Sequence, residues 1–384
     1  MSDLEVLFLV LGVVYLWECF YWFRRGTVAF ITGWGHRWRV MHPAALMGNQ
    51  SGGIVAVNPL PPLGALLAGS QSPLSISPEG VYSYVAQCIS PGWRPPQAAK
   101  YFRFETIKKI EALGKQVRVN GELLVKAGSP FIARHLADQV RRLNGVPMER
   151  RAAVIKEMLK RSLDTRAIRK RLKLFQIRSA LLQTVTNLLF SYLFLILPLW
   201  IGRFGFRRDW IALLVVLLGL TTAAAILFNR ACKGLYPDSG EERFTHWFMI
   251  LLSPATAVRA HDALSRPLLE PFHPIAVAQV LLTKERFLEF SRKALRELRH
   301  PCLPLCPSTE PGEQSTERQA RTALLEAVER FLNQNGADLG ELTKPPVPAD
   351  ESSRSFCPHC HAQFTVVEGN CADCGGLALE PLRR

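Results

Sequence analysis

Four cysteines near the C-terminus carry the clearest chemistry in this 384-residue chain. Cys357 and Cys360 form one C-x-x-C pair, Cys371 and Cys374 a second, and ten residues separate the pairs. Thiolates at i and i+3 of a tight turn point at a common centre. Two such turns supply the four sulfurs that tetrahedral Zn²⁺ prefers, at ~2.3 Å each. Gly375 and Gly376 let the backbone fold beneath that centre, where amides can donate to sulfur. His359 and His361 flank Cys360 as substitute ligands. Iron in place of zinc and a dithiol redox pair are the other readings of the same spacing.

Residues 356–380 resemble a zinc ribbon of the rubredoxin-like knuckle type. The resemblance implies a structural Zn²⁺ on Cys357, Cys360, Cys371 and Cys374, with the coordination sphere closed to substrate. Such a metal substitutes for the hydrophobic core that so short a module cannot build. Between Glu351 and Arg384 there are three Arg against four acidic residues. Nucleic-acid binding needs a basic surface, so this tail fits a protein contact better.

Other reactive residues are sparser. His246, His261, Asp262 and His273 lie at the ends of short apolar stretches and could form an acid–base group at a membrane interface. Interfacial or capping polar residues are the plainer reading. His300, Cys302 and Cys306 place three soft ligands within seven residues, in a loop stiffened by Pro301 and Pro304. The chain contains no nucleophile elbow, phosphate-cradling glycine loop or paired-carboxylate constellation. The remaining cysteines are scattered, which suits a reducing compartment rather than a disulfide scaffold.

The elements that position these residues are set by apolar segments. Residues 4–23 form the first, preceded by Asp3 and followed by Arg24 and Arg25. A cleaved signal peptide carries the opposite charge order, so this reads as an uncleaved anchor. Residues 180–201 and 210–228 are two further runs of about 20 residues, enough for ~30 Å of hydrocarbon. They read as a transmembrane hairpin, with a re-entrant pair as the alternative. From Lys100 to Arg178 there are 21 Lys+Arg against 7 Asp+Glu, so this block carries nearly all of the net charge of +15. Basic residues collect on the cytoplasmic side, which predicts the N-terminus outside and the main domains and C-terminus in the cytoplasm of a multi-pass plasma or inner membrane protein. Arg203, Arg207 and Arg208, in the short external loop, run against that rule but are outnumbered.

Between the anchor and the hairpin, residues 27–147 read as a cytosolic β-rich α+β domain closed by one helix. Asn120-Gly121 between two β-rich runs marks a hairpin. Ser129-Pro130 opens the helix, whose apolar face is Ile132, Leu136, Val140 and Leu143. Strands followed by one closing helix, over residues 50–145, resemble a pleckstrin-homology-like barrel. That resemblance implies a lipid- or protein-binding module.

Residues 148–178 predict a basic helix along or leading into the membrane. Residues 244–300 predict interfacial or cytosolic helices, with Pro254 and Arg259 interrupting a full span. A linker (301–317), an amphipathic helix (318–335) opened by a Thr316-x-x-Gln319 capping box, and a second linker (340–355) lead to the ribbon. The whole predicts a multi-domain membrane protein that presents a β-rich domain and a zinc ribbon for protein or lipid contact, without catalysis. Its expected partners are anionic headgroups near residues 100–178, a further protein, and a second copy of the chain; nucleic acid is the least supported. The alternative is a membrane-interface enzyme acting on an amphiphilic or lipid-linked substrate through His246, His261, Asp262 and His273.

Overall fold

A computed structural model describes residues 2–22, 27–32, 37–41, 65–69, 74–83, 100–127, 130–205, 210–237, 239–300, 311–374 and 376–382. The first helix, α1 (Asp3–Trp22), leads into three antiparallel strands, β1 (Thr27–Thr32), β2 (Trp38–Met41) and β3 (Ala65–Gly69), with β1 in the centre. A second sheet follows in simple meander order: β4 (Leu74–Ile76), β5 (Gly80–Ser83) and β6 (Lys100–Arg103). A third has the same order: β7 (Ile110–Leu113), β8 (Gln116–Val119) and β9 (Glu122–Lys126).

The turn from β8 to β9 forms at Asn120-Gly121, with φ of 51° and 85°. Both residues sit in the left-handed region that this two-residue turn requires. The Asn120 carboxamide also accepts from the amides of Lys108 and Lys109 and donates to the Thr106 carbonyl. Helix α2 (Pro130–Asn144) buries Ala133, Leu136, Ala137, Val140 and Leu143, one face at three- and four-residue spacing. That face covers Phe104, Val117, Val119, Leu124 and Val125. The Ser129 cap lies outside the described residues.

Residues 27–147 do not share one core. Val28, Phe30, Leu66 and Ala68 belong to the core of the helical bundle, and Phe30 meets the Phe290 ring at 6.1 Å. The β4–β9 strands and α2 have a core of their own. Alternation along a strand shows that one face is buried, but not against what.

Helix α3 (Met148–Ser162) packs Ile155 into that second core. Its Arg151 is only 8% exposed. The guanidinium donates to the carbonyls of Leu143, Val146 and Pro78, and sits 4.7 Å from the centre of the Phe104 ring. The basic stretch 148–178 is therefore not one helix. It breaks at Leu163-Asp164, where the Asp164 carboxylate accepts from the amides of Arg166 and Ala167 and caps α4 (Thr165–Ser191). The basic residues 166–178 are the first turns of the same helix that carries the apolar run.

That helix continues through a π-helical turn, Tyr192–Ile196, into α5 (Leu197–Phe204). Pro198 has no amide to donate, so the ladder must widen just before it. The Tyr192 hydroxyl donates to the Leu213 carbonyl at 2.6 Å, fixing the widened turn to the next helix, α6 (Trp210–Leu235). Helices α4 and α6 pack on each other through small and apolar residues: Ser179, Leu182, Thr186 and Leu189 on one side, Thr221, Ala224, Ala225 and Phe228 on the other. Their outer faces are different. Leu181, Leu188, Leu195 and Leu199, with Ile211, Val215, Leu218 and Ile226, stay exposed. Two helices, Thr165–Phe204 and Trp210–Leu235, are long and apolar enough to cross a membrane. In α1 the shorter apolar stretch Leu4–Val14 packs its start on α5, where a side chain added at Gly202 would come within 3.1 Å of Leu4.

The remaining helices cover the base of this hairpin. Helix α7 (Gly240–Leu252) packs Ile250 inward and leaves Phe244, Phe248 and Leu252 exposed. It stops at Ser253, whose hydroxyl caps α8 (Pro254–Val258) through the Thr256 amide. Then come α9 (Ala260–Ser265), α10 (Pro274–Leu281) and α11 (Lys284–Arg299).

Helix α12 (Pro311–Gln334) starts earlier than the sequence predicts, with Pro at the first helical position, where its missing amide costs nothing. No capping box forms at Thr316. That residue is buried inside the helix, accepting from Ser77 Oγ at 3.1 Å and donating to the Tyr101 hydroxyl at 3.2 Å. Further along, Val328, Phe331 and Leu332 enter the bundle core, so α12 ties the β-rich unit to the helices. A short helix, α13 (Leu339–Leu342), precedes the last module.

Gly80 tests the β4–β6 packing. A Cβ there would lie 2.6 Å from the Phe102 carbonyl oxygen and 2.8 Å from the Tyr101 ring. Gly80→Ala should lower unfolding stability by about 1–3 kcal/mol, the usual cost of overpacking against backbone. Denaturant unfolding followed by circular dichroism measures it, and an unchanged midpoint would contradict this packing.

Candidate metal centre

The C-terminal module is held by very short strands. β10 (Ser355–Phe356) pairs with β11 (Gln363–Phe364) and β14 (Glu380–Pro381), while β12 (Asn370–Cys371) pairs with β13 (Leu377–Ala378). Two-residue strands bury too little to fold alone, so something else must hold them.

Each knuckle is closed by backbone bonds. In the first, the Cys357 amide donates to the Ala362 carbonyl and the His361 amide to the Cys357 carbonyl, both at 2.9 Å. His361 takes a φ of 61° to make that turn. In the second, the Gly376 amide donates to the Cys371 carbonyl at 2.9 Å, with φ of 83° at Gly376. A left-handed residue at this point is the backbone requirement behind the glycine.

The four sulfurs of Cys357, Cys360, Cys371 and Cys374 lie within 4.8 Å of one another, and Cys360 and Cys371 are 3.8 Å apart. A tetrahedron with ~2.3 Å metal–sulfur bonds has edges of about 3.8 Å. Four close cysteines can therefore hold a metal ion without rearrangement of the fold. The described cysteines are free thiols. Cys357, Cys371 and Cys374 are buried against Phe364, Leu377 and Leu379, and Cys360 is exposed.

The neighbouring histidines face away from the sulfurs. His359 Nδ1–H donates to the His300 carbonyl at 2.6 Å, docking the module on the end of α11. His361 meets the Phe356 ring edge-on at 5.6 Å. Burial, with help from Arg296 and Arg292, pushes His361 down to about 4. A divalent ion with four thiolates carries a net charge of −2, and these arginines on α11 stand on its side of the module. Cys302 and Cys306 lie outside the described residues.

The other reactive residues are not brought into one group. His246 stacks on Phe228 at 6.0 Å. His261 is buried against Phe175, with its Nε2 3.2 Å from Ser179 Oγ. Asp262 pairs with Arg259 at 3.0 Å, the two side chains being 0% and 4% exposed. His273 is the N-cap of α10, accepting from the Ile275 amide through Nδ1, while its own amide bonds the Ser162 carbonyl. Burial pushes His273 down to about 4. His261 and Asp262 are adjacent, but their closest polar contacts run to Ser179 and Arg259, and His246 and His273 have other partners. A pocket of about 50 Å³ reaches His246, but none of His261, Asp262 and His273 lines it. That is far below the ~300–1,000 Å³ of ordinary ligand sites.

The signal that sequence reading missed is Ser179 and Arg259: a serine within an apolar helix and an arginine inside a short apolar stretch are the partners of His261 and Asp262. No protein-family model, curated protein or solved structure matches this chain, so the pleckstrin-homology-like resemblance gains no support.

Cys357→Ser combined with Cys371→Ser should reduce bound metal from about one ion per chain to none, measured by plasma mass spectrometry of the purified protein. Unchanged metal content would contradict the site. A second outcome concerns pH. A His that stays neutral when folded but titrates near 6.5 when unfolded draws protons to the unfolded chain. Its stabilising contribution is complete above pH ~6.5 and is lost as pH falls toward about 4. His273→Asn keeps a capping acceptor and removes this titration, so the melting temperature of the variant should depend less on pH between 6.5 and 4. Parallel pH profiles would contradict the assignment.

Proposed function

We propose that this chain is an integral membrane protein that presents two interaction modules, the β-rich unit and a zinc-bearing ribbon, on the cytoplasmic side of a cell membrane. The carrying observation is the contrast between cores. The β-rich unit and the ribbon leave few large apolar residues exposed, Leu113, Val366 and Val367, whereas α4, α5, α6 and one face of α7 leave theirs exposed all along the hairpin. Exposed apolar surface on this scale marks an interface with lipid or another protein. A helix of about 40 residues whose first turns are basic and whose remainder is apolar fits lipid best, because Lys and Arg hold that end at the headgroups.

In this reading the N-terminus is outside, and the ribbon and β-rich unit are in the cytoplasm. The ribbon metal is Zn²⁺, favoured by a closed four-thiolate set in a reducing compartment. The metal is structural, since four protein ligands leave no open position. The modules act as contact surfaces for a protein partner and for anionic headgroups near residues 100–178. The closed environments of His261 and Asp262 support a structural role for them in preference to catalysis.

Alkaline carbonate extraction should leave the chain in the membrane pellet, and release into the supernatant would overturn the proposal. In intact cells stripped of metal by a permeant chelator, an impermeant maleimide should reach Cys360 only after permeabilisation. Labelling of intact cells would overturn the orientation.

A further inference from the structure

The stretch between α13 and the ribbon is ordered by its own composition and by one side chain. It reads Lys344-Pro345-Pro346-Val347-Pro348 and forms neither helix nor strand. Proline fixes its own φ near about −65°, and a residue before proline is pushed out of the helical region. All five residues are prolines or precede one, so the run favours the polyproline II conformation, with about three residues per turn. That spacing puts Lys344 and Val347 on one edge of the run, and Pro345 and Pro348 on the next.

Both ends of the run are held. Upstream, Thr343 donates through Oγ1 to the Leu339 carbonyl and closes α13. Downstream, the Asp350 carboxylate accepts from the amides and hydroxyls of Ser352 and Ser353, which turns the chain into the ribbon. Between these points Gln363 on β11 grips the backbone on both sides of Pro348. Its Nε2 donates to the Val347 carbonyl and its Oε1 accepts from the Ala349 amide, both at 2.7 Å. Pro348 has no amide to offer, so the carboxamide takes the acceptor before it and the donor after it.

This grip presents one side of the run to solvent. Pro346 and Pro348 are half-buried, whereas Lys344, Pro345 and Val347 are exposed. Val347 is 85% exposed, the most of any large apolar side chain among the described residues. A linker that only spaces two units requires stiffness; it does not require a grip on its backbone or a valine held out in water between two prolines.

We propose that residues 344–348 are a preformed polyproline II ligand for a partner protein domain whose groove is lined by aromatic side chains, of the SH3 type. Such a groove takes two x-Pro dipeptides one turn apart, and here they are Lys344-Pro345 and Val347-Pro348. Because the run is ordered before binding, little conformational entropy is lost when it docks. Lys344 pairs with Glu341 at the surface, and an exposed pair of this kind costs little to open. The inference goes beyond the membrane reading and does not depend on it, since the run lies outside the hairpin.

The test is fluorescence anisotropy of a panel of purified, labelled SH3 domains titrated with the full chain in neutral detergent micelles. Saturable binding to at least one domain is expected. Pro345→Ala with Pro348→Ala should weaken that binding by at least about tenfold. Val347→Asp, which keeps every proline, carries the same expectation. Gln363→Ala should cause a smaller loss, because it loosens the run without changing its side chains. Val366→Ala with Val367→Ala, which removes exposed apolar surface elsewhere on the ribbon, should leave the affinity unchanged. Matching circular dichroism identifies the variants that fold. The absence of binding to every domain, full affinity in the proline and Val347 variants, or an equal loss in the Val366 and Val367 control would each overturn the proposal and leave the membrane reading intact.

Discussion

The contact between α4 and α6 is the constraint on which the rest of the structure depends. Two apolar helices can approach closely only where their facing side chains are small, and here those positions hold Ser179, Thr186, Thr221, Ala224 and Ala225. The buried threonines return their hydroxyls to carbonyls of their own helices, so no polar atom is stranded by the approach. What remains outward is large and apolar. In water that arrangement would be costly, at ~25 cal/mol per Å² of exposed apolar surface. In hydrocarbon it costs nothing, and the seam is free to carry the polar links that other elements need.

Those links are few and specific. His261 on α9 reaches Ser179 on α4, and Arg259 and Asp262 pair in the same buried layer. A buried ion pair is weak evidence for added stability, since desolvation offsets most of the attraction; its stronger effect is to penalise any packing that separates the partners. The module contacts follow the same economy. Thr316 joins α12 to β4 and β6 through two hydroxyl bonds, and His359 joins the ribbon to the end of α11 through one carbonyl. Between these tethers each unit keeps a core of its own, which for the ribbon is the sulfur tetrad in place of packed side chains.

How much of this was legible depended on how local the cause was. The Asn120-Gly121 turn, the α2 face and the cysteine spacing are set by residues within a few positions of one another, and the structure forms all three. The two long apolar helices were readable from composition. The break at Asp164 was missed because a cap of one residue is inconspicuous within so many basic residues. The capping box at Thr316 failed for the opposite reason: the local pattern was right, but distant hydroxyls on Ser77 and Tyr101 gave Thr316 a buried role. The division of the β-rich segment between two cores was invisible, because pairing partners are tertiary facts. His246, His261, Asp262 and His273 drew attention as reactive types. What distinguishes them is what surrounds them, and that is decided by residues as distant as Ser179 is from His261, 82 positions, and Ser162 from His273, 111 positions.

Carbene footprinting in native membranes tests the central claim most directly. A lipid-soluble precursor and a water-soluble one are photolysed in parallel, and modified peptides are mapped by mass spectrometry. Peptides spanning residues 180–204 and 210–226 should be modified by the lipid-soluble reagent and protected from the water-soluble one, with the reverse for 100–127. Modification of the two hairpin peptides by the water-soluble reagent at the level of residues 100–127 would contradict it.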